Sequence, residues 1–250
     1  CIKIKYSYQK KMNDTQLFKS ISNCDHWQDS FEESLRAYKF LEPKTQDQSF
    51  INVQEILVQS SRKNNPSDSS WETNGAGYEV SHKYGFGAVD AGAAVTLAEN
   101  WISLGTEVNQ TYGPYFENQD LQDLGSSRWN NFTINMTQTL KVESIDIIVD
   151  IDHSSRGELE IVLESPNGKE SWLAEQHSDT GNNYNDWLFN TVHHWGESSL
   201  GEWKLKVRDS DGGENGTLNS WQLIFHGVDI DFDHDDDGLS DENETLIWGT

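Results

Sequence analysis

The chain has 250 residues, and 42 Asp and Glu against 18 Lys and Arg leave a formal net charge of −24. That length gives room for one or two domains with a real hydrophobic core. The charge argues against nucleic acid, whose phosphates need a basic footprint, and against an anionic membrane surface, and it favours bound divalent cations, high-salt solubility or a basic substrate. No stretch approaches the roughly 20 apolar residues of a membrane helix, so no membrane insertion is expected. The chain opens on Cys1 and stops at Thr250 without a closing signal, so it reads as a piece of a longer protein with any export signal upstream. Cys1 and Cys24 are too few for a disulfide framework.

Residues 1–50 are polar and mixed, with Thr15–Leu41 open to one or two helices and no chemical motif. His26 beside Asp25 and Asp29 reads as a solvated face and not as a metal or catalytic cluster. From Ile51 the pattern sharpens. Val53, Ile56, Leu57 and Ser60 fall at helical spacing, which predicts an amphipathic helix over Ile51–Lys63 ending at the breaker cluster Asn64-Asn65-Pro66-Ser67-Asp68. A loop rich in Gly and Asn follows, Trp71–Gly77, and then a second predicted helix, Ala88–Trp101. Ala91, Ala94, Val95, Ala98 and Trp101 share one face of it, a stripe of small residues suited to close packing.

After Gly105 the period switches to two. Ile145, Ile147, Val149 and Ile151 alternate with polar residues, as do Leu159, Ile161 and Leu163; then Trp203, Leu205 and Val207; then Trp221, Leu223 and Phe225. Turn signals separate the runs: Ser165-Pro-Asn-Gly168, Ser178–Asn183 and Asp209–Gly213. Short alternating strands at this spacing predict an antiparallel sandwich or barrel with one wet face.

The segment Val53–Ser61, Asn65-Pro-Ser-Asp68, Trp71-Glu-Thr-Asn-Gly-Ala-Gly77 and Val80–Gly92 resembles the end of the catalytic domain of kexin/furin-type subtilisin (S8) serine proteases, proprotein convertases among them. Downstream, the chain is similar to the P (Homo B) domain that follows it in that family. The marks are Arg156–Gly168, Trp187, Val192-His-His-Trp-Gly-Glu-Ser198, Gly201–Asp209 and Gly216–Trp221. The resemblance covers about residues 51–227. It implies a mainly β fold, a jelly-roll-like antiparallel β-barrel packed on and stabilising a protease, preceded by a helical remnant of an α/β subtilisin domain.

Such proteases bring an Asp, a His and a Ser together so that imidazole can activate the hydroxyl. In the family the serine sits in a Gly-Thr-Ser-Ala-x-x-Pro motif shortly before the segment that starts here at Ile51. Residues 1–50 hold no such motif and no Gly at all. Asp179-Thr180-Gly181 imitates a catalytic Asp signature but falls between predicted strands, where it reads as a turn, and His82 matches a non-triad position. No residue of this chain is assigned a catalytic role.

Residues 229–244 carry nine acids and no Lys or Arg. Within them, Asp233-x-Asp235-x-Asp237-Gly238 and, after five residues, Glu244 fit a calcium-loop pattern. Asp233, Asp235 and Asp237 offer carboxylates at alternate positions, Leu239 its carbonyl, Asp241 a direct or water-bridged oxygen and Glu244 both oxygens. Calcium is therefore the expected cofactor. The wording Asp-Gly-Leu-Ser-Asp-Glu-Asn-Glu resembles a thrombospondin type-3-like repeat, and the β-like run before Asp233 weighs against a sensor EF-hand.

The expected organisation is an unassigned segment over 1–50, the remnant of the catalytic domain over 51–104, the P domain over 105–227 and a truncated calcium-binding repeat over 228–250. Two functional readings stay open. One is the C-terminal part of a secreted, calcium-dependent, kexin-like endopeptidase, extracellular or at the cell surface, whose polypeptide substrate binds a catalytic domain outside these residues. The other is a non-catalytic binding or stabilising module on a calcium-stiffened stalk.

Overall fold

The computed structural model describes residues 46–121, 128–211, 213 and 215–230. The expected features at Thr15–Leu41 and His26, and the calcium loop at Asp233–Glu244, lie outside the described residues.

Helix α1 spans Gln46–Ser60 and buries Ile51, Asn52, Glu55 and Ile56, two adjacent pairs one turn apart that share one face. It begins five residues before the predicted start, because the polar first turn carries no apolar periodicity. A two-stranded hairpin, β1 (Glu72–Thr73) with β2 (Glu79–Val80), frames the Gly/Asn loop. Helix α2 is shorter than predicted, Ala91–Ala98, since Asp90 caps it: its side chain accepts the Ala93 N–H. Ala94 and Ala98 pack against Ile56, with Leu97 and Trp101 alongside. The expected small-residue stripe meets α1.

Eight strands follow: β3 Glu107–Leu121, β4 Asn130–Met136, β5 Leu140–Asp152, β6 Leu159–Glu164, β7 Glu170–Ala174, β8 Tyr184–Thr191, β9 Gly201–Asp209 and β10 Gly216–Asp229. They form two antiparallel four-stranded sheets, ordered β3-β10-β5-β8 and β4-β9-β6-β7. The fold is mainly β and jelly-roll-like, as expected, but the sheets face each other as an open sandwich and do not close into a barrel. Closure would need hydrogen-bonded pairing between sheets, and each sheet ends on its own edge strands.

The four strands read from alternation are present. Ile145, Ile147, Val149 and Ile151 of β5 and Leu218, Trp221, Leu223 and Phe225 of β10 are fully or almost fully buried. They meet Leu159, Ile161 and Leu163 of β6 and Trp203, Leu205 and Val207 of β9. Trp203 and Phe225 join the sheets edge to face at 5.1 Å between ring centroids, and the Trp203 indole N–H donates to the Ser199 carbonyl at 2.7 Å. On the outer face, charges sit across from one another: Glu164 takes Lys204 at 2.8 Å and Lys206 at 3.2 Å, and Arg208 pairs with Glu160. Among the described residues no helix is long and apolar enough to cross a membrane.

Candidate functional site

Two motifs that lie far apart in the sequence, Trp71–Gly77 and Val192–Ser198, meet in space and fasten the helical segment to the sandwich. Asn74 is the centre of this seam. Its side-chain carbonyl accepts the N–H groups of Ala76 and Tyr78, both at 3.0 Å, which shapes the hairpin loop. Its amide donates to the carbonyls of His193 at 3.0 Å and Trp195 at 2.9 Å across the seam. All four contacts use one buried side chain, so the loop cannot move from the sandwich without leaving several polar groups unpaired.

Beside it, the Gly75 N–H donates to Glu197 at 2.9 Å, and Asn167 and His194 supply further contacts to the same carboxylate at 3.2 Å. Burial raises the pKa of Glu197, but the His194 hydrogen bond, its charge and the backbone donor outweigh this and hold it down at about 2. Burial and the neighbouring His194 push the His193 imidazole down to about 4. The approach is close enough to exclude side chains. A Cβ at Gly75 would stand 2.4 Å from Asn167 and 2.6 Å from Glu197, and one at Gly196, whose φ is +78°, would stand 2.4 Å from the Tyr78 ring.

Helix α1 makes the second fastening. Glu55, buried on its inner face, accepts hydrogen bonds from Gln59 and the Tyr78 hydroxyl, both at 2.8 Å, and from Lys141 of β5 at 2.9 Å, and its other oxygen takes the Trp195 indole N–H. Desolvation opposes its charge, yet Lys141 and these donors together lower its pKa below the usual value. Asn52, one turn earlier, accepts from the Trp101 indole at 2.9 Å and the Leu104 N–H at 2.8 Å, fixing the chain where it turns toward β3. Glu55 escaped the sequence reading. The available signal was a carboxylate among apolar residues on one helix face, which demands a buried partner.

A less satisfied group adjoins the seam. Glu143 of β5 is buried with one carboxylate oxygen unpaired among the described residues. Burial first, then the charges of Glu107 and Glu55, raise its pKa to about 7.

The motif that imitates a catalytic Asp is structural. Asp179 lies between β7 and β8, accepts the Gly181 N–H at 2.8 Å and pairs with Arg156 at 2.9 Å. His82 is exposed. The six expected calcium ligands, Asp233, Asp235, Asp237, Leu239, Asp241 and Glu244, lie outside the described residues. What the described seam does chemically is bind: it joins two units through a dense, buried polar network.

Residues 142–225 match the family model for the proprotein convertase P-domain. The sandwich is a P domain of the kexin/furin kind. A PC3-like endoprotease (variant B) of Hydra vulgaris is 33% identical over 186 residues, 72% of this chain and 26% of that protein. Furin of Bos taurus is 32% identical over 185 residues, 71% and 23% respectively, and protease KEX1 of Kluyveromyces lactis 33% over 187 residues, 72% and 25%. The chain thus spans about a quarter of the length of the curated relatives it matches. Among solved structures, the serine protease of Aeromonas sobria superposes with a TM-score of 0.65 at 23% identity, covering 76% of this chain and 42% of that one. That likeness is one of fold. The stretch matched in the relatives is longer than the P domain itself.

Proposed function

We propose that the chain is the C-terminal part of a secreted, calcium-dependent, kexin-like serine endopeptidase, in which the P domain stabilises the catalytic domain. The observation that carries this reading is the seam. A loop and helix that resemble the end of a subtilisin-like domain are fastened to the P domain through Asn74, Glu55 and Glu197. A module that worked alone would have no use for a helical segment that leaves Leu57 on α1 and, flanking α2, Val89 and Ile102 exposed. The parent reaction is peptide hydrolysis through an acyl-enzyme, with substrates carrying basic residues before the scissile bond, and the net charge of −24 suits such substrates. The partner of the P domain is that catalytic domain.

Calcium belongs to the same reading. Asp233, Asp235, Asp237, the Leu239 carbonyl, Asp241 and Glu244 form an all-oxygen donor set suited to calcium's preference for six to eight hard ligands, and the ion would tie the acidic tail together.

The test is the coding sequence upstream of residue 1, expressed together with this chain. A Gly-Thr-Ser-Ala-type motif in frame, with peptide hydrolysis and serine labelling by a fluorophosphonate, is the expected result. An uninterrupted reading frame with no such motif and no labelling sinks the protease reading. It leaves the second one, a non-catalytic P-domain module on a calcium-binding stalk, favoured by the lack of any catalytic serine motif in these 250 residues.

A further inference from the structure

At the end of the sandwich away from the seam motifs, three chain segments converge on a group the P-domain match does not account for. His153 follows β5, Glu158 lies in the 3-10 turn Arg156–Glu158 before β6, and Asp209 ends β9. One ligand atom from each lies within 4.8 Å of the other two. The side chains of His153 and Asp209 are wholly shielded from solvent, while Glu158 is half-buried and opens to water.

The proton arrangement around His153 is unusual. Nε2 stands 3.1 Å from the Asp209 carboxylate, and Nδ1 stands 2.9 Å from the Ser155 carbonyl and 3.1 Å from the Ser155 N–H. A neutral imidazole carries one N–H. Placed on Nδ1, that proton satisfies the Ser155 carbonyl and turns the Nε2 lone pair on the Asp209 carboxylate. Placed on Nε2, it is donated to Asp209, and the Nδ1 lone pair accepts the Ser155 N–H. Metal binding through Nε2 would take away the proton donated to Asp209 and place the ring proton on Nδ1, where the Ser155 carbonyl stands ready to accept it, the outer arrangement of a metal-ligating histidine. Two donors about 2.0–2.1 Å from one zinc ion at a tetrahedral angle stand about 3.3–3.4 Å apart, close to the observed separation of Nε2 and Oδ2. Asp209 is held in place by the Asp211 N–H on its other oxygen at 3.3 Å. The Glu158 side chain has no hydrogen bond among the described residues, although it sits at the mouth of the group.

We infer that His153, Glu158 and Asp209 form a zinc site with water completing the coordination. One imidazole and two carboxylates are too few and too nitrogenous for calcium, which takes 6–8 oxygens, and they suit a first-row transition ion. The ion clamps the ends of β5 and β9 and the turn into β6, linking both sheets at one point. Because it binds only the folded arrangement, it stabilises the sandwich by mass action.

The experiment uses the full 250-residue chain, freed of metal by a chelator and kept in excess calcium so that the acidic tail is occupied. Zinc is titrated by calorimetry and the melting temperature is followed with and without it. Glu158→Gln is the decisive variant, because the half-buried side chain makes no hydrogen bond among the described residues, so the substitution should leave the fold intact. The expected result is one zinc per chain, at least tenfold weaker binding in Glu158→Gln, a zinc-dependent rise in melting temperature that shrinks with it, and unchanged zinc affinity in Glu244→Gln. Cobalt in place of zinc should give a spectrum without thiolate charge transfer. No binding, equal affinity in Glu158→Gln and the unaltered chain, a parallel loss in Glu244→Gln, or a thiolate band pointing to Cys1 and Cys24 would each overturn the site. His153 and Asp209 would then be a plain buried hydrogen bond.

Discussion

The two described parts of the molecule are held together by different physics. The sandwich is apolar inside, with one continuous cluster running from Leu121 to Phe225 and fully buried Trp203 and Trp221 at its heart. The helical segment has almost no core: Ile56, Ala94 and Ala98, with Leu97 and Trp101 at the margin. What fixes it is polar, through Asn52, Glu55 and Asn74. Apolar burial tolerates small shifts because it has no direction, whereas a buried hydrogen-bond network fails at once when a donor moves. The difference teaches that the helical segment takes its order from the sandwich, while the sandwich stands by itself.

The sharpest way to break this contrast is to separate the parts. Residues 105–230 alone should melt cooperatively, and residues 46–104 alone should show poorly dispersed amide signals, since short helices without partners are marginal in water. A dispersed spectrum for the second piece would reverse the comparison. Next in size is Trp203→Ala, which empties the junction between sheets. A loss of about 3–5 kcal/mol in denaturant unfolding of the whole chain is expected.

Asn74→Ala should cost less, about 1–3 kcal/mol for the carbonyls it orphans. It should act unevenly: hydrogen exchange rises across α1 and the β1–β2 hairpin, while β5 and β10 stay protected. Uniform loss of protection would mean that the seam and sandwich are one cooperative unit.

The smallest effect is a pH dependence at Glu143. Its pKa in the folded chain, about 7, exceeds the ordinary 4.5, so the fold binds this proton more tightly than the unfolded chain does. The resulting stability is fully present below pH 4.5 and disappears as pH rises through 7. Glu143→Gln should therefore match the unaltered chain at pH 5 and exceed it at pH 8 by about 1 kcal/mol or somewhat more. Thermal melts at the two pH values decide it, and a variant less stable at pH 8 would show that the free carboxylate oxygen has a donor.

Legibility in the sequence followed the same division. Strands β5, β6, β9 and β10 announce themselves because each buries one face, and alternation is the imprint of one-sided burial. Strand β3 pairs only with β10 and is exposed along most of its length, so no alternation marks it. Strand β8, paired only with β5, shows Trp187 and Leu188 to solvent for the same reason. Both are edge strands, defined by their neighbour and not by their own pattern. The seam was half legible. Its two loops stand out as unusual strings, Trp71–Gly77 and Val192–Ser198, but that Asn74 reaches the carbonyls of His193 and Trp195 depends on a contact 119 and 121 residues away. The group at His153, Glu158 and Asp209 was illegible for the same reason: no local spacing joins three residues that only the sheet ends bring together.

The order of strands has a consequence for how the chain is made. Strand β10 lies between β3 and β5, and β9 lies between β4 and β6, so the last two of the sandwich's described strands to be synthesised occupy inner positions in the two sheets. Until residues 201–229 have left the ribosome, β3 has no neighbour in its sheet, β4 has none in its own, and the inner faces of β5 and β6 stand bare. Folding of the sandwich must therefore wait until residue 229 has emerged and then close through long-range pairings, which form slowly. A nascent chain cut short before β9 exposes the apolar faces of β5 and β6 without the two central strands that lie beside them, which marks it for chaperones and proteolysis.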